Sequence, residues 1–286
     1  MVAIIKDGRL CVSAIARNET PYLLEWVAHQ LTIGADLILI YDNGHDPDGT
    51  RLLHDLDRHG VIVRIPWTGK YPRGPQVPAY DDALDRLRGR FEWVLFVDLD
   101  ELLIPIIHGS LIDFLDTMPE SDGIWFPWLI FGSSGELEYR PEPMSERFVH
   151  RQKISPSTIT DVKSVVRPDK TRNARIHVHH LLTDAYTDPT GDRRHLLNSF
   201  GERRSAQLAK GYDLVRIHHY MTKSEQEWKQ KVSRGRADRG FLDESQGRDL
   251  AEFSVWDRNE ELDESALRLL PEVREHLRRL NATVSH

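Results

Sequence analysis

Asp98 and Asp100 stand one residue apart at the end of an apolar run, Trp93 to Val97. Two carboxylates this close repel unless a cation or hydrogen-bond donors offset their charge. If the run is a strand, alternation puts both side chains on one side, near its exit. A divalent ion with oxygen ligands, Mg²⁺ or Mn²⁺, would relieve the repulsion and bridge to substrate phosphates. A plainer arrangement also satisfies the spacing: one carboxylate caps the next helix and the other forms an ion pair.

Other polar groups follow the same rule of position. Arg17, Asn18 and Glu19 come directly after the apolar run Leu10 to Ala16, and Asp42 after Leu37 to Tyr41. Such turns can read the base and ribose of a nucleotide, although each alone is equally an exposed turn. His177, His179 and His180 form one histidine cluster, and His218 and His219 another. The first lacks the further ligands of a familiar zinc site. A histidine from the second could complete a metal shell begun by Asp100. Lys163, Arg167, Lys223, Lys231, Arg234 and Arg236 flank these clusters and could supply the local positive field a diphosphate needs. Asp46 to Gly49 lacks the ligand spacing and terminal Glu of a calcium loop.

The elements that must hold these residues alternate. Leu10–Ala16, Leu37–Tyr41, Val61–Ile65 and Trp93–Val97 read as strands, with helices over Pro21–Leu31, Thr50–His59 and Pro78–Arg88. Thr20 is the expected N-cap of the first helix. This rhythm implies an α/β fold: a mostly parallel sheet flanked by helices. Ligands of such sheets bind beyond the carboxyl ends of the strands, where three polar clusters fall: Arg17-Asn18-Glu19, Asp42-Asn43 and Asp98-Leu99-Asp100. After residue 105 come a short helix, Leu111–Leu115, an aromatic strand, Gly123–Phe131, and a strand over Leu214–His218. A core over residues 1–220 and a helical extension over 221–286 are expected.

The 286 residues carry a net charge of -7, which gives no general attraction for nucleic acid. No stretch approaches the ~20 apolar residues of a membrane span. Lys6, Asp7 and Arg9 break up the first ten residues, so a secretory signal is not expected there. Cytoplasmic location is the expectation, with peripheral attachment to the inner membrane left open. One cysteine, Cys11, allows no internal disulfide.

Taken together, the segments are similar to bacterial glycosyltransferases of the family 2 and family 92 type. The resemblance runs from about residue 10 to 240. It is carried by Ala16-Arg17-Asn18-Glu19, Tyr22-Leu23-Leu24-Glu25-Trp26, Ile40-Tyr41-Asp42-Asn43, Gln76-Val77-Pro78-Ala79-Tyr80-Asp81-Asp82-Ala83 and Phe96-Val97-Asp98-Leu99-Asp100-Glu101. Phe131-Gly132-Ser133-Ser134-Gly135, Lys163-Ser164-Val165-Val166-Arg167-Pro168, His219-Tyr220-Met221-Thr222-Lys223-Ser224 and Arg234-Gly235-Arg236-Ala237-Asp238 extend it. The chain departs from the pattern at Asp81 and His218, where related sequences have Asn.

The resemblance implies a GT-A fold, a nucleoside-diphosphate-sugar donor of the uridine type, Mn²⁺ or Mg²⁺, a carbohydrate or other hydroxyl acceptor, and inversion at the anomeric carbon. Surface polysaccharide or glycoconjugate synthesis is the implied setting. Ala16, Arg17, Asn18, Glu19, Asp42, Gln76 and Asp82 would hold the nucleoside. Asp98 would bind ribose or sit beside the metal, and Asp100 with His219 would ligate it. Lys163 or Lys223 would help neutralise the leaving diphosphate. Glu146, which follows the Gly132–Gly135 loop where the acceptor would enter, is the first candidate for the base that activates it, with His180 and Asp184 as alternatives. Trp125, Trp128 and Phe131 could stack on an acceptor sugar, with at least one of them belonging to the core. Two other readings stand beside this one. The first is a degenerate protein that binds sugar nucleotides without turnover. The second is a haloacid-dehalogenase-type phosphatase, whose pattern has Thr or Val where this chain has Leu102.

Overall fold

A computed structural model describes residues 6–155, 161–195, 210–234 and 249–285. The chain begins β1 (Gly8–Ala16), α1 (Thr20–Thr32), β2 (Leu37–Asp42), α2 (Pro47–Arg58), β3 (Val63–Pro66), α3 (Gln76–Leu87) and β4 (Phe91–Phe96). β5 (Glu101–Pro105), α4 (Leu111–Leu115), β6 (Gly123–Ile130), α5 (Met144–Arg147), β7 (His150–Arg151) and β8 (Val162–Val166) follow. Next come β9 (Thr171–Asn173), β10 (His180–Leu181), β11 (Ala185–Thr187), β12 (Arg193–His195), β13 (Val215–His219), α6 (Glu225–Arg234), α7 (Phe253–Trp256), β14 (Glu261–Leu262) and α8 (Leu270–Val284).

The expected α/β class is what the structure shows. β3, β2, β1 and β4 lie side by side and parallel, and β8 then runs antiparallel between β4 and β6. β13 pairs with β5 and β6. Both faces of the sheet are covered, which is why β1 and β4 read as near-continuous apolar runs. Alternation divides them between two cores. Leu10, Val12, Ala14, Trp93 and Leu95 pack on the α1 side, while Cys11, Ile15, Val94 and Phe96 pack on the α3 side.

Several boundaries move for local reasons. The second helix starts at Pro47 rather than Thr50, because the Asp46 carboxylate caps it by accepting from the Gly49 N–H at 2.7 Å. Thr20 does not cap α1; its hydroxyl donates to Asp46 at 3.1 Å and links the two helix starts. Gly34, with φ 99°, follows the end of α1 in the left-handed region that favours glycine.

The chain after residue 220 is not purely helical, since β14 pairs with β7. Asp263 beside it receives Arg151 and Arg216, each at 2.6 Å. α8 packs on α1 and α2. Described residues 249–285 therefore pack back on the core, and α6 brings Lys231 to Asp100. No helix among the described residues is long and apolar enough to cross a membrane.

Glu25 ties α1 to the short helix α5. It is buried and accepts from the backbone N–H groups of Met144 at 2.8 Å and Ser145 at 3.4 Å. Burial pushes its carboxyl up to about 7, against those two donors and the charges of Lys223 and Arg147. An unfolded Glu titrates at roughly 4.3, so the folded protein binds this proton more tightly. The resulting stability is fully present below pH ~4.3 and is lost as pH rises through about 7. Glu25→Gln should remove that slope. Urea unfolding at pH 5 and pH 7.5 should show the variant gaining about 2.5 kcal/mol on the wild type between the two. Parallel pH profiles would rule the assignment out.

Candidate active site

The sheet register brings the polar clusters to one edge. Ala16 lies opposite Asp42, Asp42 opposite Pro66, and Ser13 opposite Phe96, so the carboxyl ends of β1–β4 align. Asp98 and Asp100, however, are not on a strand. β4 stops at Phe96, and the Glu101 N–H donates to the Asp98 carbonyl at 3.1 Å, closing a turn. The two side chains consequently do not share a side as strand alternation predicts. They look into different surroundings.

Asp98, about one-third exposed, faces α3 and β8. Gln76 donates to its Oδ1 at 2.9 Å, Tyr80 to the same atom at 3.3 Å, and Lys163 to Oδ2 at 2.8 Å. The indole of Trp26 holds its carbonyl at 3.0 Å. Lys163 is fully buried and also lies 3.4 Å from Glu101, whose Oε2 accepts the Asp98 N–H at 2.8 Å. Burial works against the Lys163 charge, but Asp98 and Glu101 outweigh it and raise the ammonium's affinity for its proton. Burial pushes the Glu101 carboxyl well above its usual range, against the pull of Lys163.

Asp100 is buried and faces β13 and α6. Its Oδ2 accepts from Lys231 at 2.5 Å, and its Oδ1 lies 3.7 Å from His219 Nε2. Burial disfavours the carboxylate, yet Lys231 and His219 hold it well below the usual range. Burial also pushes the His219 imidazole down against the pull of Asp100, so it is neutral at pH 7. Beside this pair opens a cavity of about 610 Å³, lined among others by Asn18, Glu19, Tyr22, Lys223, Glu227 and Lys231. Lys223 adopts a left-handed backbone, with φ 55°. Its ammonium lies 4.3 Å over the Tyr22 ring and 3.3 Å from Glu19.

The other expected nucleoside residues flank this edge. Ala16 is fixed by its carbonyl, which accepts from Asn43 at 2.9 Å, and Arg17 and Asn18 are exposed beyond it. Asp42 is held by Arg64 at 2.6 Å and by the Gly44 N–H at 3.0 Å. Asp82 accepts from Tyr41 at 2.7 Å and from Arg86 at 2.5 Å, and neither its hydrogen bonds nor its ion pair reach the Asp98 turn.

Each of the three candidate bases has a basic partner of its own. Glu146 is ion-paired with Arg274 of α8 at 2.6 Å. On the same short helix it is Arg147 that turns inward, to Tyr22 at 2.8 Å and Glu227 at 3.3 Å. β8 runs from Lys163, near Asp98, to Val166, and the chain then reaches β9, where Arg88 just ahead of β4 binds the Thr171 carbonyl at 2.9 Å. Asp184 faces Arg172 of β9 at 3.9 Å. His180 accepts from Arg175 at 2.9 Å and follows His179, which packs on Phe96 at the end of β4. The Gly132–Gly135 loop is covered too. A Cβ on Gly132 would meet the Arg258 backbone at 2.7 Å, and Ser133 donates to Asp257 at 2.6 Å.

Trp125 and Phe131 are core residues, stacked on Tyr186 and His218, whereas Trp128 packs its edge on His219 at 4.4 Å. His177 lies beside Trp128, and His179 packs on Phe96. Among the described residues no group of three or more His, Cys, Asp or Glu could hold a metal, so the zinc cluster does not form. The 235–238 part of the Arg-Gly-Arg motif lies outside the described residues. Sequence reasoning missed Glu101 and Glu227 as members of the site, and Lys231 as the partner of Asp100. The eight-residue spacing of Lys223 and Lys231 across a helix start was the available signal.

Lys163→Met should leave Asp98 and Glu101 without their shared cation. A loss of about 3–5 kcal/mol in unfolding free energy is expected at pH 7.5 by denaturant titration, and a smaller loss at pH 5, because burial already favours the protonated form of Glu101. A loss under about 1 kcal/mol at pH 7.5 would mean the pair contributes little.

Comparison with known proteins follows the same outline. The model of glycosyltransferase family 92 matches residues 6–251. A family 92 protein of Oryza sativa subsp. japonica is 28% identical over 181 residues, 61% of this chain and 30% of that protein. One of Ricinus communis is 24% identical over 245 residues, 82% of this chain and 42% of that protein. The chain thus spans less than half the length of these relatives. Among solved structures, S. aureus TarS 1–349 is 14% identical with a TM-score of 0.42, covering 94% of this chain and 71% of that one. The same fragment in complex with UDP-GlcNAc gives 15% identity and a TM-score of 0.37, over 56% and 46% of the two chains. With its family's model matched over most of its length, the chain belongs to glycosyltransferase family 92.

Proposed function

We propose that the chain transfers a sugar from a nucleoside-diphosphate donor of the uridine type to a hydroxyl acceptor, with inversion and with Mn²⁺ or Mg²⁺. Family membership supports glycosyl transfer. The observation that carries the site is the facing pair Asp100 Oδ1 and His219 Nε2, 3.7 Å apart at the carboxyl edge of a parallel sheet. An acidic oxygen and a neutral imidazole nitrogen suit a divalent ion whose remaining ligands are phosphate and water oxygens. Lys231 bonds the other oxygen of Asp100, while Oδ1 faces the histidine. When bound, the ion would offset the charge that builds on the leaving diphosphate.

The chain's own residues have distinct tasks on this reading. Ala16 to Glu19, Asp42, Gln76 and Asp82 hold the nucleoside. Asp98, steadied by Gln76, Tyr80 and Lys163, takes the ribose. Lys223 and Lys231 line the cavity beside Asp100 and add positive charge where the diphosphate leaves.

A second reading has one observation behind it. The Lys231 ammonium already sits 2.5 Å from Asp100, and a lysine can supply the charge that a metal supplies elsewhere. Release of UDP from a panel of UDP-sugars, with Mn²⁺ or with EDTA, separates the two. The expected result is Mn²⁺-dependent release that Asp100→Ala lowers at least ~100-fold, with an unchanged far-ultraviolet spectrum. Full turnover in EDTA would favour the lysine. Full turnover by Asp100→Ala would remove this pair from the chemistry. Binding of UDP with no turnover on any donor would indicate a degenerate binding protein, and hydrolysis of simple phosphomonoesters a phosphatase.

A further inference from the structure

Glu101 has an unused oxygen in a place where few buried oxygens go unused. Its Oε2 is engaged by the Asp98 N–H and by Lys163. Its Oε1 is buried with no hydrogen-bond partner among the described residues. The same is true of His219 Nδ1, and the two atoms face each other at 4.0 Å. Leaving a buried donor and acceptor unmet is costly, because each has given up its bonds to water, so two facing orphans call for an explanation.

The backbone explains why they face. β5 and β13 are antiparallel, and Glu101 is the register partner of His219. Directly opposed residues keep their side chains on one face of the sheet. Trp128 packs its edge against the imidazole at 4.4 Å and walls one side of the ring. The ring therefore presents Nδ1 to Glu101 and Nε2 to Asp100. Closing the first contact to a hydrogen bond requires a shift of only about 1 Å.

We infer that Glu101 is a positioning residue: its Oε1 accepts the Nδ1–H of His219 when a divalent cation engages Nε2, and so fixes the ring as a ligand. The inference rests on the metal reading above. A ligating imidazole whose other nitrogen is anchored to a carboxylate keeps one tautomer and one orientation, and loss of such an anchor weakens metal binding about 10–100-fold. Lys163 then has a second task. It holds the far oxygen of Glu101 and so aims the near one.

The test is Mn²⁺ affinity without donor, by electron paramagnetic resonance, in the full chain. Glu101→Leu should weaken Mn²⁺ binding at least tenfold. In a His219→Ala background the same change should add less than twofold, because the anchor acts only through the ring. Equal losses in both backgrounds would overturn the inference, since a merely structural role would add to the histidine loss. Should Glu101→Leu fail to fold, nitrogen NMR of the Mg²⁺-loaded wild type decides. A slowly exchanging, downfield Nδ1–H on His219 is expected, and a freely exchanging one would overturn the contact. Failure of the parent reading looks different: Asp100→Ala and His219→Ala would then bind Mn²⁺ as tightly as the wild type.

Discussion

The Lys163 ammonium lies 2.8 Å from Asp98 and 3.4 Å from Glu101, at the point where β4 stops. Asp98, Asp100 and Glu101 crowd into one turn, and the last two are almost wholly buried. Without cations in the interior such a turn could not stay compact. Lys163 comes from β8, the strand inserted antiparallel beside β4, so the reversal of direction in the sheet delivers the charge that the turn requires. Lys231 does the same for Asp100 from the other side, out of a helix beyond residue 220. The two lysines divide the acids between them, and the different surroundings of Asp98 and Asp100 follow from that division.

The sheet and its ligand-binding edge were legible because they rest on local rules. Leu10 to Ala16 and Trp93 to Val97 are apolar on both faces, as parallel strands between helices must be, and polar residues follow each of them. A residue's place at that edge was legible where it lies at a strand's exit, as Asp42 does, and the late histidine cluster pointed to His219 beside Asp100. It was not legible where long-range charge pairing decides. Glu146 followed the loop thought to admit an acceptor, but Arg274, 128 residues later, claims it. Asp184 sat near histidines in sequence, yet β8 carries the chain away from Asp98 before that point. Strand alternation also misled at Asp98 and Asp100, because burial of Glu101 against Lys163 closes a turn there instead.

The extension makes the site a product of the whole chain. Tyr220 donates its N–H to the Asp100 carbonyl at 2.8 Å, and the next turns deliver Lys223 and Lys231 to the cavity. Glu227 binds Tyr22, Arg147 and Ser224, which links α6 to α1 and α5. Contacts on both sides of residue 220 thus tie the last helices to the strands before them.

The pairing of β5 with β13 has a consequence for how such a site can change over evolution. Glu101 and His219 meet because they occupy matching rungs of one antiparallel ladder. Insertion or deletion of a single residue in either strand would turn one of them to the opposite face, along with every apolar neighbour. The surrounding loops can lengthen or shorten freely, but these two five-residue strands can vary only by substitution. Their length is a constraint inherited by any descendant that keeps the chemistry.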